Sequence, residues 1–238
     1  MADSARYLIV GDGQVARHFR HYFSMLGLST FTWSRRARLP LADVVPDATH
    51  VLLLISDRAI ASFYQSHAGI LQNKICLHFS GSLRLDSIVS AHPLMTFAGD
   101  FFPEATYRSV PFILNQNEVV FQDLLPGLPN PHFYIPSAAA SYYHALCVMA
   151  NNFTTLLWSK AMKEFQRRWG LPQEVLFPIL RQTCAAIESS RGEALSGPIA
   201  RQDWATIEAN MAALSEDPYL SIYDAFVNSI DHNKEKSS

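Results

Sequence analysis

The chain has 238 residues, 49% of them hydrophobic and 17% charged, enough apolar material for a full core and too even a composition for extensive disorder. Nineteen Lys and Arg against 21 Asp and Glu give a formal charge of −2, which removes the broad positive field that non-specific nucleic-acid binding requires. No apolar run approaches the ~18 to 20 residues of a membrane span, and the opening residues lack the pattern of a secretory signal. A cytoplasmic protein without nucleic-acid or membrane partners is expected.

The first third alternates short apolar runs with helical stretches, the pattern of a doubly wound α/β sheet whose strands are buried on both faces. A strand over Tyr7–Val10 leads into Gly11-Asp12-Gly13-Gln14-Val15-Ala16, then a helix to Leu26 and a second strand over Ser29–Trp33. Val51–Ile55 reads as a later strand ended by Ser56 and Asp57, and Lys74–Phe79 as another closing at Ser80-Gly81. Prolines then punctuate the chain from Pro93 to Pro136, which predicts the last strands and a linker. From Ser137 to Trp169 there is neither proline nor glycine, and one long helix of roughly 50 Å is predicted, followed by helices over Gln173–Ser190, Asp203–Ser215 and Pro218–Ile230. The division falls at Pro136: an N-terminal Rossmann-like domain, 1–136, and an all-helical domain for substrate binding and dimerisation, 137–238.

Gly11-x-Gly13-x-x-Ala16 carries the clearest chemistry because it follows a strand and opens a helix. Gly11 suits the tight turn, Gly13 lets backbone approach a pyrophosphate, and the small Ala16 lets helix and strand pack. The amides of Gln14 and Val15 lie where a helix N-terminus receives phosphate. About 20 residues on, an NAD site would carry an acid to bind the ribose. This chain has Ser34-Arg35-Arg36 there, a hydroxyl and two guanidiniums suited to a phosphate monoester, so NADPH is the expected cofactor. Ser56, Asp57, Ser80 and Gly81, at the ends of the next strands, complete the candidate cofactor set.

Other polar residues point elsewhere. His18 and His21 among Arg17 and Arg20 read as a solvated basic face, and no metal-binding spacing occurs among nine histidines. Cys76, Cys147 and Cys184, widely spaced among apolar or small neighbours, read as buried thiols.

Ser80-Gly81, Ala91-His92-Pro93-Leu94-Met95-Thr96-Phe97, Tyr143-His144-Ala145 with Asn152, and Ser196-Gly197-Pro198-Ile199-Ala200-Arg201-Gln202-Asp203 occur in that order. The chain in this respect resembles bacterial short oxidoreductases with a Rossmann-like domain and a helical domain of long-unassigned function. These are distant relatives of ketopantoate, pyrroline-carboxylate and 6-phosphogluconate enzymes, and some members act as an alternative ketopantoate reductase. The resemblance implies NADPH-dependent reduction of a small 2-oxo acid, most simply ketopantoate. Within that frame His144 is a candidate proton donor, Asn152 a candidate ligand of carbonyl or carboxamide, and Arg201 a candidate clamp for a substrate carboxylate.

Two departures stand out: Gln202 occupies a position where glycine is usual, and Asn151 one where a small residue is usual. Helical geometry at ~100° per residue places Asn151 rather than Asn152 on the face of His144, whereas the resemblance favours Asn152. Lys160 is the second acid candidate. His92 lines the site or satisfies a buried carbonyl, and Asp203 caps a helix. A pyrroline-carboxylate type of imine reductase and a non-catalytic NADP-binding sensor are the competing functions. The many apolar residues around the long helix predict a homodimer.

Overall fold

The structure, a computed structural model, describes residues 5–115, 119–191 and 194–235. Its chain contacts divide it into two compact units, Met1–Leu157 and Trp158–Ser238.

The first unit is built on a seven-stranded sheet in the order β2-β1-β3-β4-β5-β6-β7. The strands are β1 (Arg6–Val10), β2 (Ser29–Trp33), β3 (His50–Leu53), β4 (Ile75–His78), β5 (Val89–Pro93), β6 (Phe112–Leu114) and β7 (His132–Tyr134). All neighbours pair in parallel except β5 and β6. Helices α1 (Gln14–Met25) and α3 (Asp57–Ser66) follow β1 and β3, with shorter helical turns α2 (Leu41–Val44), α4 (Ala68–Leu71), α5 (Glu104–Ser109) and α6 (Phe121–Leu124) between the other strands. The expected Rossmann-like sheet followed by a helical region is what the chain forms. Having built β2 on one side of β1, it returns to build β3 on the other. That reversal opens a crevice at the C-terminal ends of β1 and β3, where ligands of such sheets bind.

Alternation along the strands supplies a core to each face. Tyr7, Ile9, Leu52 and Leu77 join Phe19 and Phe23 of α1 on one face, while Leu8, Val10, Val51 and Leu53 meet Ile60 of α3 on the other. His18 belongs to the first of these faces, not to a solvated one. It is 1% exposed, its Nδ1 lies 2.7 Å from the Tyr107 hydroxyl, and its ring packs among Phe97, Phe101 and Phe102. Charge around a helix predicts exposure poorly when aromatic residues from a distant loop cover one side.

The passage after Pro136 is helical to Trp169, though not uniformly so. A 3₁₀ turn (Ser137–Ala139) precedes α7 (Ala140–Cys147), a π segment follows (Val148–Phe153), and α8 (Thr154–Trp169) ends at Gly170 with φ +65°. In the second unit, Gln173–Leu176 forms a 3₁₀ turn into α9 (Phe177–Ser190), followed by α10 (Gly197–Arg201), α11 (Trp204–Ala213) and α12 (Leu220–Glu235). Asp203 caps α11 as expected, accepting from the Thr206 amide at 3.2 Å. Gln202, in the usual place of a glycine, adopts φ 57°, ψ 40°, the left-handed conformation that glycine would adopt without strain. Of the three thiols only Cys76 is buried; Cys147 is partly exposed and Cys184 is exposed, so the expectation of buried thiols holds for Cys76 alone.

Candidate functional site

The strand-to-helix turn is fixed by backbone. Gly11 has φ +132°, and a Cβ there would fall 2.2 Å from the carbonyl oxygen of Leu54, so no other residue fits without moving β1 from β3. Its amide donates to the Trp33 carbonyl at 2.8 Å, drawing the end of β2 toward the same turn. Gly13 precedes the first turn of α1, has open space where a side chain would be, and leaves that turn without an acidic residue. Such free amides at a twelve-residue helix form an anion site.

A cavity of about 510 Å³ opens over this turn. Gly11, Gly13, Gln14, Val15, Ser34, Arg35, Ser56, Asp57 and Ser80 line it, together with His92. Arg36 and Gly81, also expected in the cofactor set, do not. Arg36 is exposed, donates its amide to Ser34 Oγ at 3.3 Å and holds its guanidinium 3.9 Å from Asp12, a pair in open solvent worth little.

The wall formed by β4, β5 and the start of α3 is tied together by polar side chains. Ser80 Oγ donates to Asp57 at 2.5 Å and accepts from the Leu83 amide at 3.1 Å. Ser90 Oγ donates to the Ser80 carbonyl at 2.7 Å. Asp57 therefore does more than open a helix: it joins two strand ends across the mouth of the cavity. His78, beneath them, is fully buried with neither ring nitrogen partnered, and burial pushes its pKa down to about 4.

His92, Tyr143 and His144 meet beside this wall. The Tyr143 hydroxyl lies 2.7 Å from His92 Nδ1, and the two histidine rings stand edge to face with centroids 6.0 Å apart. Burial first, then the neighbouring His144, pushes His92 down to about 4 against the opposing pull of Asp57. His144 keeps Nδ1 buried and unpartnered. Gly81 is the notch that admits both rings. A Cβ there would lie 2.7 Å from His144 Nδ1 and 3.2 Å from two carbons of His92. The structure thus brings His92 and His144 together and adds Tyr143, which the sequence displayed beside His144 without a signal for its partner 51 residues earlier.

The remaining candidates fall elsewhere. Asn151 and Asn152 are exposed within the π segment and do not line the cavity. Arg201 is the exposed last residue of α10 in the second unit. Lys160 is engaged by Asp217 at 2.6 Å and Glu164 at 3.4 Å, contacts that raise its pKa and suit a structural ion pair better than a proton donor.

Residues 115–230 match a family described only as a domain of unknown function, DUF2520. No curated protein matches the chain in sequence. Among solved structures, the chain is similar to a candidate NADP oxidoreductase from Bacteroides fragilis at 19% identity and TM-score 0.74, covering 95% of this chain and 98% of that one. A Thermotoga maritima protein aligns at 21% identity and TM-score 0.66, covering 97% and 99%. Plasmodium falciparum pyrroline carboxylate reductase with NADP bound aligns at 11% identity and TM-score 0.59, covering 95% and 99%. At these identities the likeness shows a shared fold: a Rossmann-like sheet followed by a helical region.

Proposed function

We propose that this chain is an NADPH-dependent reductase acting on a small 2-oxo acid, with ketopantoate as the first candidate substrate. The observation that carries the reading is the cavity itself, whose lining joins the Gly11–Gly13 turn and the α1 N-terminus with Ser34 and Arg35 and with His92 of β5. The residues fit the cofactor: Gly11 leaves no room for a Cβ, Gly13 leaves space for a pyrophosphate, and a guanidinium replaces the acid that would repel a 2′-phosphate. When bound, the nicotinamide would supply hydride. The chain's own part is to orient the ligand and to offer hydrogen-bond donors where oxygen gains negative charge, from His92 and His144. Arg201 is kept as the candidate carboxylate ligand and Asn152 as a candidate amide ligand.

Purified protein should oxidise NADPH when ketopantoate is added. The pyrroline carboxylate reductase among the structural relatives favours a second reading, reduction of a cyclic imine. Turnover of 1-pyrroline-5-carboxylate without turnover of ketopantoate would establish it. Tight NADPH binding without oxidation by either substrate would favour a sensor.

We also propose a homodimer. Leu146, Met149, Phe153 and Leu156 leave roughly half of each side chain exposed along α7, the π segment and α8, and a second copy of this chain would cover them. Sedimentation as a monomer at micromolar concentration would remove this proposal.

A further inference from the structure

We propose that Tyr143 is a positioning residue for His92, its hydroxyl donating to Nδ1 so that the imidazole is held with its proton on Nε2, as a neutral donor for the carbonyl oxygen or imine nitrogen of a bound ligand. The choice of ligand atom rests on the reductase reading; the protonation pattern does not.

The pattern follows from an accounting of donors. The Tyr143 hydroxyl lies 2.7 Å from His92 Nδ1, and one of the two must supply the proton. A hydroxyl carries one proton, and a neutral imidazole carries one on either nitrogen. If Nδ1 carried the ring proton, it would donate to the tyrosine oxygen, and the phenolic proton would need a second acceptor. Among the described residues the other group beside this hydroxyl is the thiol of Cys147, one turn along α7, which is a weak acceptor. The arrangement that gives the phenolic proton a strong acceptor has Tyr143 donating to Nδ1.

Both groups keep the protonation this needs. Burial holds the Tyr143 hydroxyl well above its usual range, so it remains a donor. His92 is held neutral down to about 4. With Nδ1 occupied, Nε2 is the ring's remaining polar atom. It has no partner among the described residues and is not sealed off as His144 Nδ1 is. A Cβ at Gly81 would meet at 3.2 Å the two His92 carbons bonded to Nε2, so the glycine keeps this end of the ring from being displaced. His92 is among the residues that line the cavity, and the proposal gives its Nε2–H to a ligand there. A neutral imidazole used in this way polarises a carbonyl without first being protonated.

The test is the tautomer itself. Protein labelled with ¹⁵N-histidine, without cofactor, should show His92 with a protonated Nε2 and an unprotonated Nδ1 in a two-bond ¹⁵N–¹H correlation spectrum, the signals being assigned by their loss in His92→Gln. In Tyr143→Phe the two nitrogen signals should converge as the tautomers mix. Turnover should fall by ~10-fold or more, the scale of one lost hydrogen bond, while KM and NADPH affinity stay within about twofold. A protonated Nδ1 in the wild-type protein, or His92 signals unmoved by Tyr143→Phe, would overturn the proposal, and the first of these needs no variant that must fold. If no substrate is turned over and the tautomer still follows Tyr143, the reductase reading fails and the positioning role stands.

Discussion

Replacing Gly81 by alanine separates two roles for this glycine. The sequence pattern places it in the cofactor set, whereas the structure makes it a notch for two histidine rings. Gly81 has no positive φ, so alanine brings no backbone penalty and the effect is one of space. The new methyl would sit 2.7 Å from His144 Nδ1, about 0.7 Å short of ordinary contact, and 3.2 Å from two His92 carbons, about 0.2 Å short. Overpacking of this kind costs roughly 1 to 3 kcal/mol of stability. The ring that moves most is His144, and a displacement approaching 1 Å at a reacting group costs up to about 10²-fold in rate. Gly81→Ala should therefore lose about 10- to 100-fold in turnover. NADPH affinity should stay within about twofold, because Gly81 does not line the cavity. Fluorescence titration with NADPH and steady-state kinetics measure the two quantities. A tenfold loss of NADPH affinity with turnover preserved would refute the notch role.

Three further outcomes are expected. NADPH should bind at least tenfold more tightly than NADH, as charge-assisted hydrogen bonds of ~1.5 to 3 kcal/mol imply, and calorimetry on Arg35→Ala plus Arg36→Ala should show that preference lost. Gln202→Gly should stabilise the protein: a left-handed non-glycine residue costs ~1 to 2 kcal/mol, glycine's extra chain entropy returns ~0.5 to 1, and the exposed Gln202 side chain has no hydrogen bond to lose among the described residues, so a lower melting temperature would contradict the strain. Acidification should destabilise through His78. Below pH ~6.5 the unfolded chain binds a proton that the folded chain refuses until about 4, so stability is unaffected above this window and falls as pH drops through it. Urea unfolding at pH 7 and pH 5 should show His78→Leu to have roughly 2 kcal/mol less of that loss than wild type, and an unchanged loss would count against it.

Much of the fold was legible because it is written locally. The second strand, Ser29–Trp33, follows the apolar pattern to the residue, and Gly11, Gly13 and Ala16 mark the turn through steric needs that any sequence must meet. The serine and arginines after that strand were legible because position alone brings them to the crevice, although only Ser34 and Arg35 reach its lining. What escaped is non-local. Nothing within a few residues of His92 announces a tyrosine on a helix 51 residues later. Nothing near His18 announces the aromatic loop that buries it. The comparison of Asn151 with Asn152 assumed a regular helix, whereas both lie in a π segment, where i→i+5 bonding changes the angle per residue on which the helical-wheel estimate depends.

This contrast bears on substrate class. A site made by backbone, like the turn at Gly11, survives almost any change of sequence, which accounts for a shared fold at 11 to 21% identity. The chemical wall is made instead by side chains from β4, β5, α3 and α7, and these are free to differ between relatives. In this chain the wall offers a neutral imidazole at His92, held by a tyrosine that cannot readily ionise. A ketone oxygen accepts from an Nε2–H throughout hydride addition, and the bond strengthens as negative charge develops on it. A protonated imine has no lone pair on nitrogen and would instead meet that donor with its own N–H, a repulsive approach at the reacting end. With His92 as the donor, the proposed wall is matched to an oxygen acceptor, and this places a 2-oxo acid ahead of an iminium as the proposed substrate.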